Sequence, residues 1–323
     1  MKTFTIEKNQ EGQTIYKFVR KFFSDAPLSF IEKLFRIRDV KVNSKRVDKT
    51  YVVKEGDFVQ VYVTDQQLED FNKPKEIISS KQKPNVIYED DNILIVNKPS
   101  GLLVHGDEKE KRITLSNIVL AYLHDKNEYN PKNSNGFIPG PAHRIDRNTS
   151  GLVIFGKTIK ALQQLEDLFK ERDSIHKYYY ALVCGKTEAR GEINKPLYKD
   201  ESKGMVYVRS IEKGGKTALT KYELVESFSN CSLVEACILT GRTHQIRVHF
   251  ASINHPLLGD SKYGNFNANK EFLKKYNYQG QFLHAYKMKF DELDGVLSYL
   301  SNKEFVAPMN EKEKKILKDL RGR

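Results

Sequence analysis

The stretch His143-Arg-Ile-Asp-Arg-Asn-Thr-Ser-Gly-Leu-Val-Ile-Phe-Gly-Lys-Thr158 reads in two halves. The first is polar and turn-prone and carries one carboxylate, Asp146, between Arg144 and Arg147; the second is the apolar run Leu152 to Phe155. This change of character predicts a loop feeding a buried strand. An opposite charge within roughly 4–6 Å lowers a carboxyl pKa by about 1–3 units. Asp146 is therefore expected to be ionised at neutral pH, suited to act as a nucleophile or electrostatic stabiliser and poor as a general acid. The same residue types also build ordinary strand-entry turns, because their side chains satisfy nearby backbone groups.

Gly151 to Thr158 also spells the phosphate-loop pattern G-x-x-x-x-G-K-[ST]. The match is rejected on physical grounds. A phosphate loop needs its middle residues to expose backbone N–H groups in a tight turn. Here they are Leu, Val, Ile and Phe, which bury their side chains and give their N–H groups to a sheet.

The 323 residues leave room for one large domain and a small one. The hydrophobic fraction is 39%, and no apolar run approaches the ~20 residues needed to span a bilayer. The amino end lacks an apolar signal core, so a cytoplasmic location with no membrane partner is expected. Cys184, Cys231 and Cys237 lack metal-ligand spacing and read as structural thiols. A formal charge of +12 favours a polyanionic partner, with nucleic acid first. A solvated lysine-rich surface would share that composition.

Residues 1–66 read as a small basic module. Apolar residues at helical spacing within Gly12 to Phe23 predict one helix, and Ser29 is expected to cap a second that carries Phe30, Ile31, Leu34 and Phe35. Alternation at Asp39 to Asn43 and Gly56 to Val63 predicts strands, with a turn at Asn43-Ser44-Lys45. Lys33, Arg36, Arg38, Lys41, Lys45 and Arg46 give this module a basic face, the footprint expected for nucleic-acid phosphates. Residues 67–85, with Lys73, Pro74, Lys75 and Pro84, read as a linker.

From residue 86 the pattern changes. Val86 to Tyr88 and Ile93 to Val96 predict two strands around an acidic turn, leading to Lys98-Pro-Ser-Gly101, a fixed turn that could hold Lys98 near a substrate. Thr114 to Leu123 and Ile159 to Lys170 predict helices, and Asp125 to Gly140 a long polar loop. In His176 to Gly185, Tyr178 and Tyr180 should face one way and Lys177, Tyr179 and Ala181 the other. Gly191 to Ile238 alternates strand and turn signals, as an antiparallel sheet does. Thr243 is expected to cap a helix running to Ser252 that projects Arg247 inward. The histidines at 143, 244, 249, 255 and 284 lack zinc-site spacing and lie among arginines, so no metal is expected.

Asn97-Lys98-Pro99-x-Gly101, His143-Arg-Ile-Asp-x-x-Thr-Ser-Gly-Leu152, Lys177-x-Tyr179-x-Ala181, Gly241-Arg-Thr-His-Gln-Ile-Arg247 and Leu283-His-Ala285 occur in this order. In this the chain resembles the RluA-type pseudouridine synthases over about residues 86–310. The module before it resembles the S-four-type RNA-binding domain of the RluC and RluD branch. The resemblance implies an α+β fold, with a mixed, mainly antiparallel sheet in a catalytic domain spanning 86–323. It implies isomerisation of uridine in RNA, most often large-subunit ribosomal RNA, by a monomer without cofactors. It assigns catalytic roles to Asp146, Tyr179, which packs on the target base and helps remove its proton, and Arg247, which pairs with the aspartate. Arg144 would fill the gap left by the flipped base, with Lys98, His143, Arg242 and Leu283 at the substrate. Ile145 and Asn148 stand where leucine and aspartate are common. Extrusion of a base from its stack costs a few kcal/mol, and a planar cation is a suitable replacement for the lost neighbour. A non-catalytic RNA-binding factor is the alternative the charge leaves open.

Overall fold

The computed structural model describes all residues except 9, 24, 72–79, 81, 107–112, 132–136, 172 and 323. Strand β1 (Lys2–Thr5), helices α1 (Ile15–Phe22) and α2 (Leu28–Arg36), strands β2 (Val40–Val42), β3 (Lys45–Arg46) and β4 (Phe58–Val61), and helix α3 (Asp65–Phe71) build the amino-terminal module. Its sheet runs β1-β4-β2-β3, and its core is rich in aromatics, including Phe4, Phe18, Phe22 and Phe23. Asn43 and Ser44 both take positive φ, the geometry of a two-residue hairpin turn between β2 and β3.

Two expectations for this module are corrected. The start of α2 is set by Pro27, not Ser29: the fixed φ of proline suits the residue entering a helix, and its carbonyl accepts the Phe30 N–H at 2.9 Å. Of the expected linker, residues 67–71 belong to α3, because Leu68 and Phe71 pack on the module core, Phe71 against Phe30 at 4.7 Å between ring centroids. Most of the remaining linker, 72–79 and 81, lies outside the described residues.

The rest of the chain is organised by one ten-stranded sheet. Strands β5 (Val86–Glu89) and β6 (Ile93–Lys98) form the expected pair, followed by α4 (Leu115–Asp125), capped by Thr114, then β7 (Gly140–Pro141), β8 (Ser150–Gly156) and α5 (Ile159–Glu171). Then come β9 (Ile175–Cys184), β10 (Arg190–Asn194), the hairpin β11 (Leu197–Asp200) and β12 (Met205–Val208), β13 (Leu219–Ser227) and β14 (Cys231–Ile238). Helices α6 (Gln245–Ala251) and α7 (Phe266–Tyr276), strands β15 (Leu283–Phe290) and β16 (Glu304–Val306), and α8 (Glu311–Leu320) complete the chain.

The sheet order is β10-β13-β14-β9-β15-β8-β6-β5, with β16 and β7 at its sides and β11-β12 as a separate ribbon. Among the described residues every pairing but one is antiparallel; β15 runs parallel to β8 through His284–Ser150 and Ala285–Gly151. At that seam Gly151 has φ +112°, and a Cβ there would lie 2.2 Å from the Ala285 carbonyl oxygen, so only glycine fits. Leu152 to Phe155 are at most 1% exposed, in a strand and not a phosphate-binding turn. Helix α8 is fastened behind the seam by a buried cluster: Ser150 Oγ lies 2.8 Å from His284 Nδ1 and 3.1 Å from Glu313 Oε1, which also accepts from Tyr278 at 2.9 Å.

Candidate active site

Asp146 sits in the loop entering β8, and the turn after β6 holds that loop from beneath. Ser100 Oγ donates to the Asn148 carbonyl at 2.9 Å, and the Gly101 N–H donates to that of Arg147 at 2.9 Å. Lys98, fully buried, donates from Nζ to the carbonyls of Pro99, Leu102 and Arg147 at 2.8–2.9 Å. Three acceptors match the three N–H bonds of an ammonium. Burial pushes its pKa down to about 7, and the charge of Asp146 opposes that shift. The expectation that Lys98 meets substrate is thus corrected: its charge is spent on backbone, and it fixes the loop that presents Asp146.

The cation seated against Asp146 comes from α6, a hundred residues on. Arg247 Nη1 donates to Asp146 Oδ2 at 2.9 Å. The other edge of the same guanidinium forms a two-bond fork with Asp260, Nε to Oδ2 at 2.7 Å and Nη2 to Oδ1 at 2.8 Å. Side-chain exposure falls from 24% at Asp146 to 7% at Arg247 and 0% at Asp260. Burial alone would raise the pKa of Asp260, but Arg247 and the backbone N–H groups of Lys262 and Tyr263 more than offset it and hold the carboxyl below its usual range. Among the described residues no hydrogen bond reaches Oδ1 of Asp146, which leaves one oxygen of an oriented carboxylate open.

Arg247 is aimed by an unusual helix start. Instead of a Thr243 cap, His244 occupies the capping position in the left-handed region, φ 53° and ψ 20°. The buried Gln245 explains this, because its amide is held on β13 by the Leu219 carbonyl and Thr220 Oγ1 at 3.0 and 3.1 Å. Its Oε1 accepts from the Arg242 N–H at 3.1 Å and ties the preceding turn to the helix start, which has no side-chain cap. His244 Nδ1 lies 2.8 Å from the Tyr263 hydroxyl, and its Nε2 is 3.9 Å from Asp146 Oδ2. Burial, aided by Arg247 and Lys262 and opposed by Asp146, holds the His244 pKa below its ordinary value.

These groups line a cleft of about 630 Å³. Asp146 is its one carboxylate among the described residues, facing Arg144, Arg147, Lys177, Arg242, Arg247 and Lys262. Tyr179 reaches it from β9 with 6% exposure, on the face opposite Tyr180, which stacks on Tyr286 at 3.9 Å between centroids. Burial first and Asp146 second raise the Tyr179 pKa, so its phenol stays protonated. Leu283 forms a buried wall, and Arg144 is exposed at the cleft. His143 packs on Phe169 at 4.5 Å between ring centroids, and its Nε2 accepts the Ile154 N–H at 3.3 Å. Burial and then Lys177 push its pKa down to about 3, which keeps the ring neutral.

Thus Asp146, Tyr179, Arg247, Arg144, His143, Arg242 and Leu283 share one cleft, and Lys98 lies beneath it. In the module, Arg36, Arg38 and Arg46 line a second pocket with Lys49, Glu32 and Asp48. Lys33 and Lys45 are exposed outside that lining, and Lys41 points its Nζ over the Tyr62 ring at 4.8 Å. Sequence reasoning missed Asp260 and Tyr263, and set His244 aside once a metal had been rejected.

Residues 92–252 match the RNA pseudouridylate synthase family. An RNA pseudouridine synthase of Mycoplasma capricolum is 36% identical over 316 residues, 95% of this chain and 97% of that protein. Ribosomal large subunit pseudouridine synthase C of Vibrio parahaemolyticus is 34% identical, covering 98% of this chain and 95% of that one. Ribosomal large subunit pseudouridine synthase D of Buchnera aphidicola is 33% identical over 86% of each. The solved structure of human RNA pseudouridylate synthase domain containing 4 superposes with a TM-score of 0.58 at 23% identity, covering 73% of this chain and 93% of that one, and shares its fold. Sequence and architecture agree: the chain belongs to the RNA pseudouridylate synthase family, as an RNA-modifying isomerase of the RluA type.

Proposed function

We propose that this enzyme isomerises uridine in large-subunit ribosomal RNA, with Asp146 as the reacting carboxylate. The observation that carries the catalytic assignment is a partly exposed carboxylate, the one carboxylate of the cleft among the described residues, oriented by a buried arginine amid cations, neutral polar groups and apolar walls. The names of the Vibrio and Buchnera relatives support the choice of RNA. In the reaction the C1′–N1 bond breaks, the uracil turns within the pocket and a C1′–C5 bond forms. The proton lost from C5 is balanced by one gained at N1, so no oxidant or co-reactant is consumed. Asp146 Oδ1 is the oxygen free to attack or to stabilise positive charge on the sugar, while Arg247 holds Oδ2. Tyr179, its phenol pKa raised by burial and by Asp146, packs on the base in this reading and can donate to it. Arg144, which lines the cleft, stacks in this reading where the flipped base leaves the helix.

Residues 1–66 act in this reading as an S-four-type RNA-binding domain, its Arg36, Arg38 and Arg46 contacting phosphates. In this reading the enzyme works as a monomer in the cytoplasm; no described helix is long and apolar enough to cross a membrane. The test is pseudouridine mapping on a large-subunit ribosomal RNA transcript, by carbodiimide adducts and primer extension, with wild type and Asp146→Ala. Stops at defined uridines with wild type alone are expected. Stops that persist with Asp146→Ala would remove the assignment of the aspartate. Their absence with both proteins would point to another RNA, with transfer RNA tested next.

A further inference from the structure

His244 is the titratable group of the cleft that the reaction above leaves unused, and its surroundings fix where its proton sits. The Val206 backbone N–H donates to the Tyr263 hydroxyl at 2.9 Å. That hydroxyl lies 2.8 Å from His244 Nδ1. A phenol has one proton, and having accepted from Val206 it gives that proton to Nδ1. The other tautomer would press a second N–H on the phenol oxygen and leave the phenol proton without an acceptor among the described residues. Nε2 therefore carries the ring hydrogen. It stands 3.9 Å from Asp146 Oδ2, beyond hydrogen-bonding distance, and among the described residues it makes no hydrogen bond. A histidine held in a left-handed backbone, its ring locked by a half-buried tyrosine, thus presents one uncommitted N–H beside the reacting carboxylate.

We propose that His244 is a substrate-contacting residue whose Nε2–H donates to an oxygen of the target nucleotide, either the ribose 2′-hydroxyl or a uracil carbonyl, and that Tyr263 is its positioning residue. The proposal rests on the placement of Asp146 at the reacting centre. A donor fixed next to that carboxylate orients the nucleotide against Oδ1 and takes no part in breaking the glycosidic bond. A lysine or an exposed arginine meets a phosphate as a mobile point charge or fork. A neutral imidazole of fixed tautomer instead reads one acceptor in one direction.

The experiment measures kcat/KM on a stem-loop carrying the mapped uridine. His244→Asn tolerates the left-handed backbone but is too short to place its amide where Nε2 stood. His244→Gln reaches that position with an N–H. Asn is expected to lower kcat/KM by about tenfold or more, the size of one lost hydrogen bond to substrate, and Gln to stay within about threefold of wild type. Tyr263→Phe is expected to cause a loss of its own that disappears in the His244→Gln background, a dependence that general destabilisation would not show. Stem-loops with 2′-deoxyuridine, 2-thiouridine or 4-thiouridine at the target then identify the acceptor, because on one of them wild type and His244→Asn should become equal. Equal losses in Asn and Gln at unchanged melting temperature, or the same Asn penalty on all four nucleotides, would overturn the proposal. Failure of the Asp146 reading registers separately, as wild-type turnover by Asp146→Asn.

Discussion

In the amino-terminal module Arg36, Arg38 and Arg46 are exposed to solvent around a shallow pocket, whereas in the cleft Arg247 has 7% of its side chain exposed and a carboxylate on each edge. The two regions share a sign of charge and little else. Exposed cations act at a distance through water, are screened by salt, and substitute for one another. A buried guanidinium forked to Asp260 acts through direction, and neither lysine nor a neighbour can replace it. The difference teaches that affinity for RNA can be spread over a surface, while chemistry on one nucleotide needs charges that cannot move.

The largest effect should come from the centre of the cleft. Asp146→Asn keeps the size of the side chain and removes its charge; turnover is expected to fall by about 10³-fold or more with RNA affinity nearly unchanged, read by tritium release from C5-labelled RNA and by filter binding. Asp260→Asn should come next, because it leaves a buried guanidinium with half its partners. A loss of about 3–5 kcal/mol in denaturant unfolding is expected, with a fall in kcat larger than any change in KM. A variant as stable as wild type would show that the cleft tolerates loose charge as the module does.

Replacing Arg36, Arg38 and Arg46 together by Gln should weaken binding with no change in kcat at saturating RNA. If all three meet phosphates, the slope of log affinity against log salt should become shallower by about 2, taking roughly 0.7 per contact for single-stranded RNA. An unchanged slope would sink the contrast from the other side. The smallest effect concerns His143. Its pKa is about 3 in the folded protein against 6.5 as the ordinary value. The unfolded chain therefore takes up a proton first as pH falls, and the stability present above pH 6.5 drains away below it, by about 1 kcal/mol between pH 6.5 and 5.5. His143→Gln should flatten that part of a stability-against-pH curve measured by urea unfolding.

What the sequence disclosed followed from burial. The strand at Leu152 to Phe155 and the faces of Tyr179 and Tyr180 were legible because side-chain period and burial leave a pattern in neighbouring letters. Helix α3 was not, because only Leu68 and Phe71 of its seven residues touch the core. Lys98 was misread for a related reason: a lysine before Pro-Ser-Gly looks solvated until the chain closes three carbonyls around it. The resemblance named Asp146 and Arg247 as partners. It could not show Asp260 behind them, since no local pattern tells that a turn at 260 meets a helix at 247.

The parallel seam between β8 and β15 has a consequence in time. Strands β5 to β8 come from residues 86–156 and strands β9 to β14 from residues 175–238, and β15, made last of the long strands, lies between β8 and β9 in the finished sheet. During synthesis both flanks leave the ribosome before the strand that joins them. Contacts of such long sequence separation form late and slowly. Asp146 on one flank and Tyr179 on the other are thus brought to their common cleft only when the carboxy-terminal part of the chain arrives, and a nascent chain carries every side chain proposed for catalysis before it can act as an enzyme.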